Sequence, residues 1–97
     1  MSNTNPEFKH IQAYIDKNAI VLDVRTDAEY IEGHVENSLH IVLDTLEEEI
    51  EELKALNKPI ITCCRSGARS ERAKDILVEH GIDAINGGPW QNVKNYL

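Results

Sequence analysis

A small α/β domain is what this chain encodes: a mainly parallel sheet of four to five strands with helices on both faces. Three observations predict it. Short apolar runs at Ala19–Val24 and Ile60–Cys63 are bounded by polar or turn residues, as strands buried on both sides are. Between and after them, apolar residues recur at helical spacing, as in Leu46, Ile50 and Leu53. Strands separated by helices need crossover connections, which make neighbouring strands parallel. With 97 residues, 41% apolar and 28% charged, the chain is expected to form one domain over residues 1–97, opening on a polar extension at about residues 1–6.

Each element has its own signal. Pro6 suits a helix first turn, and Phe8, Ile11 and Ile15 share one face, so a first helix is expected to run to about Asn18. The Ala19–Val24 strand follows. Thr26 and Glu29 stand three apart in a capping-box pattern and should start a short helix through Tyr30 and Ile31, closed by Gly33. Ser38–Val42 reads as a weaker strand. Asp44 or Thr45 is expected to cap the next helix, whose Leu46, Ile50 and Leu53 stripe lies opposite the solvated Glu47, Glu48, Glu49, Glu51 and Glu52. After the turn at Asn57, Lys58 and Pro59 come the Ile60 strand and a loop from Cys64 to Arg69. A helix from Glu71 to His80, ended by Gly81, leads to a last strand at Ile82–Asn86. Gly87, Gly88 and Pro89 are expected to break the chain before a final segment, Trp90–Leu97.

The chemistry concentrates at Ile60–Ser70, where an apolar run stops at a cysteine and gives way to a basic, Gly-containing turn. A strand feeding a helix N-terminus there aims unpaired backbone N–H groups, and the positive end of the helix dipole, at one atom. A thiol so placed should ionise below the roughly 8.5 of a free cysteine, with Arg65 and Arg69 as nearby cations. Cys63 continues the strand and reads as a small buried hydrophobe, whereas Cys64 opens the turn. The competing structural reading is that both cysteines are inert core.

Composition narrows the function classes. Adjacent cysteines cannot close an ordinary disulfide, and no second Cys or His pair completes a metal site, so a reduced, cytoplasmic thiol without a metal is expected. The opening residues show neither a signal peptide nor a membrane span, and a net charge of −7 argues against a nucleic-acid partner.

Leu22-Asp23-Val24-Arg25, then Glu29-Tyr30 and Gly33-His34-Val35, resembles the amino-terminal signature of rhodanese-like domains. Cys64-Arg65-Ser66-Gly67-Ala68-Arg69-Ser70 resembles their active-site loop, and Gly87-Gly88 with Trp90 their carboxy-terminal segment. The resemblance runs from about Ala19 to Trp90. It implies a thiosulfate sulfurtransferase with catalytic Cys64 carrying sulfur as a persulfide and no metal or organic cofactor. Arg65, Ser66, Gly67, Ala68 and Arg69 would bind a small anionic donor such as thiosulfate, and the acceptor would be a thiol, cyanide or a partner protein. A protein persulfide donor is a further possibility that the resemblance carries. Asp23, Arg25 and His34 would support the site. Asp23 and Arg25 read chiefly as an ion-paired brace, and His34 chiefly as a hydrogen-bonded structural histidine, with a general acid or base as the alternative.

Other classes stand beside this reading. Cys63 to Arg69 spells Cys-x5-Arg, the spacing of cysteine phosphatases and arsenate reductases, and would make Cys63 the nucleophile. A non-catalytic binding module of the same fold, or a redox sensor built on a Cys63–Cys64 disulfide, are the others.

Overall fold

The computed structural model describes residues 8–97; Pro6 and the polar extension at residues 1–6 lie outside the described residues. Its sheet has four strands: β1 (Ile20–Asp23), β2 (Leu39–His40), β3 (Ile60–Cys64) and β4 (Ala84–Pro89), in the order β2-β1-β3-β4. Every pairing is parallel, with Leu22 beside Leu39 and Thr62, and Ile61 beside Ile85. All five residues of β3 are buried, which places it at the sheet's centre with both faces covered. The expected mainly parallel α/β sheet is therefore present, with four strands.

The pleat sorts the core into two layers, because successive strand side chains point to opposite faces. Leu22, Val24, Ile60 and Cys64 join one cluster with Leu53 of α3 (Ile50–Leu56) and Ile76 and Leu77 of α4 (Ala68–Glu79). Val21, Ile61 and Cys63 join the other, with Ile11 of α1 (Ile11–Asp16) and Val93 of α5 (Trp90–Lys94). The two cysteines thus face opposite layers. The short α2 (Asp27–Glu32) starts at Thr26, whose hydroxyl accepts from the Glu29 N–H at 3.3 Å while the Glu29 carboxylate accepts from the Thr26 N–H at 3.1 Å. The capping box is formed as expected.

Several boundaries differ from expectation for physical reasons. The first helix begins at Ile11, after His10 in the left-handed region (φ 70), and is over before Asn18 (φ 64). The weaker strand shrinks to two residues. Neither Asp44 nor Thr45 caps a helix; residues 43–49 wind as a 3₁₀ segment after Val42, and the Thr45 hydroxyl donates back to the Val42 carbonyl at 3.1 Å. Leu46, Ile50 and Leu53 still reach the core, and Glu47, Glu48, Glu51 and Glu52 remain exposed.

At the other end of the chain, Gly87, Gly88 and Pro89 do not break the structure. They extend β4 through a register shift opposite Thr62 and Cys64, which ends with Pro89 beside Cys64. Glycine permits this, because a Cβ on Gly87 would lie 2.5 Å from Val93 Cγ2 and 2.9 Å from the Thr62 carbonyl oxygen. Strand and α5 pack without an intervening side chain.

Candidate active site

β3 ends on Cys64 itself, and α4 starts at Ala68, three residues earlier than the spacing predicts. The expected six-residue loop is therefore Arg65–Gly67 alone, with Ala68 and Arg69 in the first helical turn. Gly67 takes φ 111 at the N-cap, which lets the chain curl back over the cysteine. The Gly67 N–H donates to Cys64 Sγ at 3.0 Å and the Ser70 N–H at 3.4 Å, with the Ser70 hydroxyl 3.3 Å away. Burial pushes the thiol pKa up, but the Ser70 hydroxyl and the amides of Ser70, Gly67 and Ser66 outweigh it and leave Cys64 below the ordinary cysteine value. Hydrogen bonds, ahead of the arginines, do the activating. Cys63 has the opposite environment: burial first, then the Asp23 carboxylate, push its thiol far up, and it remains a neutral core residue.

The loop is held by residues that sequence reasoning did not single out. Ser70 donates to Asn86 Oδ1 at 2.6 Å, and the same oxygen accepts from the Gly88 N–H at 2.8 Å. Asn86 Nδ2 in turn donates to the Gly67 carbonyl at 3.0 Å and to Glu71 Oε1 at 3.1 Å. One side chain on β4 therefore ties down both the loop glycine and the hydroxyl beside the sulfur. A hydroxyl has one proton, so Ser70 either donates to Asn86 and accepts from the Cys64 thiol, or turns to donate to a thiolate. The Phe8 ring packs over the glycines, close enough that a Cβ on Gly67 would lie 2.8 Å, and one on Gly88 2.5 Å, from its atoms. Cys64 itself is wholly buried.

Beside the loop lies a cavity of about 340 Å³ lined by Arg25, Glu29, Glu32, Arg65 and Trp90, among others. Asp23 and Arg25 form the expected brace, fully buried: Nη2 meets Oδ2 at 2.7 Å, Nε meets Oδ1 at 2.9 Å, and the Arg25 N–H donates to Oδ1 at 3.0 Å. Arg25 also donates to the Gly33 carbonyl at 2.6 Å and the Glu29 carbonyl at 3.2 Å, and its guanidinium lies 5.0 Å from the centre of the Trp90 ring. Gly33 packs closely there: a Cβ would lie 3.1 Å from Trp90 Cη2, so the ring would have to shift by a few tenths of an ångström. Trp90 forms the cavity rim.

The predicted donor-binding residues divide. Arg65 and Ser66 are exposed at the turn, and Gly67 and Ala68 supply backbone. Arg69 is already engaged, with Nη1 and Nη2 on the two Glu29 carboxylate oxygens at 2.8 and 2.9 Å. His34 stands apart from this group: its ring stacks on Tyr30, centroids 3.8 Å apart, and its Nδ1 lies 2.7 Å from the Tyr30 carbonyl. His40 covers the other Tyr30 face at 4.2 Å. Among the described residues no three His, Cys, Asp or Glu side chains gather to hold a metal ion, and no helix is long and apolar enough to cross a membrane.

Comparison with known proteins agrees with this fold. The rhodanese-like domain family matches residues 7–96. A tRNA uridine(34) hydroxylase of Leptospira interrogans is 38% identical over 76 residues, 73% of this chain and 21% of that protein. A Schizosaccharomyces pombe protein named "Putative thiosulfate sulfurtransferase, mitochondrial" is 32% identical over 89 residues, 77% of this chain and 63% of that protein. The chain thus spans about a fifth of the first relative and just under two thirds of the second. The human single-domain sulfurtransferase TSTD1 has the same fold, with a TM-score of 0.69 at 22% identity over 94% of this chain and 92% of its own.

Proposed function

We propose that this chain, which belongs to the rhodanese-like domain family, is a cytoplasmic sulfurtransferase in which Cys64 carries the sulfur. The observation that supports it most is the convergence of backbone N–H groups and the Ser70 hydroxyl on one buried sulfur, which lowers the Cys64 pKa against the effect of burial. The Cys64 thiolate attacks the outer sulfur of thiosulfate or a related donor. A new S–S bond forms, the donor's own S–S bond breaks, and sulfite leaves with the electron pair. The Cys64 persulfide keeps one negative charge on its terminal sulfur, which the loop amides are placed to hold. A thiol, cyanide or protein acceptor then attacks that terminal sulfur, and the thiolate leaves unchanged. Both steps are two-electron displacements needing no outside oxidant, and they make the kinetics ping-pong.

A phosphatase or arsenate reductase would need Cys63 as nucleophile, and that residue faces the opposite layer, where burial keeps its thiol neutral. A binding module of the same fold has no use for an activated thiol. The test is intact mass after exposure to thiosulfate, or to a small-molecule persulfide, followed by peptide mapping. Cys64 is expected to gain one sulfur and to lose it again to cyanide or a thiol. Loading on Cys63, or no loading from either donor, would overturn the proposal.

A further inference from the structure

Of the two arginines expected to receive the donor, Arg69 is not free. The two N–H groups of the Arg69 fork meet the two oxygens of Glu29 side by side, the parallel pair that guanidinium makes equally well with any oxyanion offering two oxygens at that spacing. Glu29 lies on α2, forty residues from Arg69 in sequence, and is fixed there by the Thr26 N–H and hydroxyl at 3.1 and 3.0 Å. Resting on the sulfurtransfer reading, we propose that Glu29 selects the donor. Its carboxylate occupies the place on Arg69 that a donor's oxyanion end would take, so thiosulfate or a thiosulfonate must displace it, whereas an uncharged or thiol-type persulfide need not.

Two further observations support this. Glu32 lines the cavity with Glu29, so two carboxylates face Arg65 and an Arg25 already paired with Asp23, and the cavity carries little net attraction for a dianion. Hydrogen bonds from Arg69, and from the Thr26 backbone, hold the Glu29 pKa down at about 2, so the carboxylate stays charged over the whole working range and gives way to competition alone. The same contact joins the first turn of α4 to α2, close to the buried Cys64.

The test compares Glu29→Gln with Glu32→Gln. Each removes one charge from the cavity, but only the first touches Arg69, and glutamine at position 29 preserves the capping box, so the fold should survive. The readout is the ratio of Cys64 alkylation by iodoacetate to that by iodoacetamide. The two probes need the same access and differ in charge, and peptide mapping assigns the site. Glu29→Gln is expected to raise the ratio roughly three- to tenfold, the size of effect one nearby, partly screened charge produces, and to lower the thiosulfate KM by a similar factor. Glu32→Gln should give less than half that change, and molar salt should shrink both. A Glu29→Gln ratio within about twofold of the parent, or equal effects from both variants, would overturn the proposal. The alkylation ratio decides it even in a protein that takes no sulfur from thiosulfate, while sulfur loading on Cys64 decides the reaction.

Discussion

Cys64→Ser is expected to abolish sulfur transfer, with a loss of at least roughly a thousandfold, because it removes the atom that forms and breaks the sulfur bond. Serine is nearly isosteric and its hydroxyl can accept from the same Gly67 and Ser70 amides, so the fold should survive. Cys63→Ser should leave kcat/KM within a few-fold of the parent once folded. Its cost falls on stability, since it places a hydroxyl among Ile11, Val35, Ile61 and Val93, about 1–3 kcal/mol if the group finds no partner. Steady-state kinetics beside urea unfolding separates the two effects. A folded but inactive Cys63→Ser protein with an active Cys64→Ser protein would reverse the assignment.

Arg25→Ala should have the largest effect on stability, a loss of about 3–5 kcal/mol, because it strands the Asp23 carboxylate in a fully buried site. Among the described residues the Asp23 carboxylate accepts its hydrogen bonds from Arg25, and the same side chain fastens the Glu29 and Gly33 carbonyls. For a domain of this size that loss is a large share of total stability. Arg25→Lys keeps the charge but not the fork and should fall between. The urea midpoint measures it; a loss below about 1 kcal/mol would mean that water or another group replaces the guanidinium.

The parts of this structure legible in the sequence are those with local signals. Apolar runs and helical stripes mark the alternation of strands and helices, Thr26 and Glu29 mark the start of α2, and the end of the apolar run marks Cys64 off from Cys63, although β3 runs through Cys64 and it is the pleat that turns the two to opposite layers. Gly87, Gly88 and Pro89 mislead because turn residues and residues that permit close packing share a composition; the approach of Val93 and Ile61, which makes glycine necessary, is a tertiary fact. The 3₁₀ winding at 43–49 hides for a related reason, since its apolar spacing serves either helix type. Ser70 lay within the recognised motif, but its contact with the sulfur depends on how α4 begins. Asn86 carries no sequence signal at all. It matters because the strand shift brings β4 against the loop, and Arg69 is engaged because folding brings Glu29 to it across forty residues.

The first displacement needs Cys64 ionised near neutral pH and the second releases it as a thiolate, and its alkylation as a function of pH tests that ionisation most directly. In Cys63→Ser, Cys64 is the sole thiol, and only the thiolate reacts. The Ser70 and loop-amide hydrogen bonds, outweighing burial, place the folded pKa below the unfolded one, so the thiolate form persists to lower pH in the native protein. The native alkylation midpoint should therefore lie clearly below the roughly 8.5 of a free cysteine, and urea should bring it back to that value. A native midpoint at or above 8.5 would contradict activation of Cys64 by its loop.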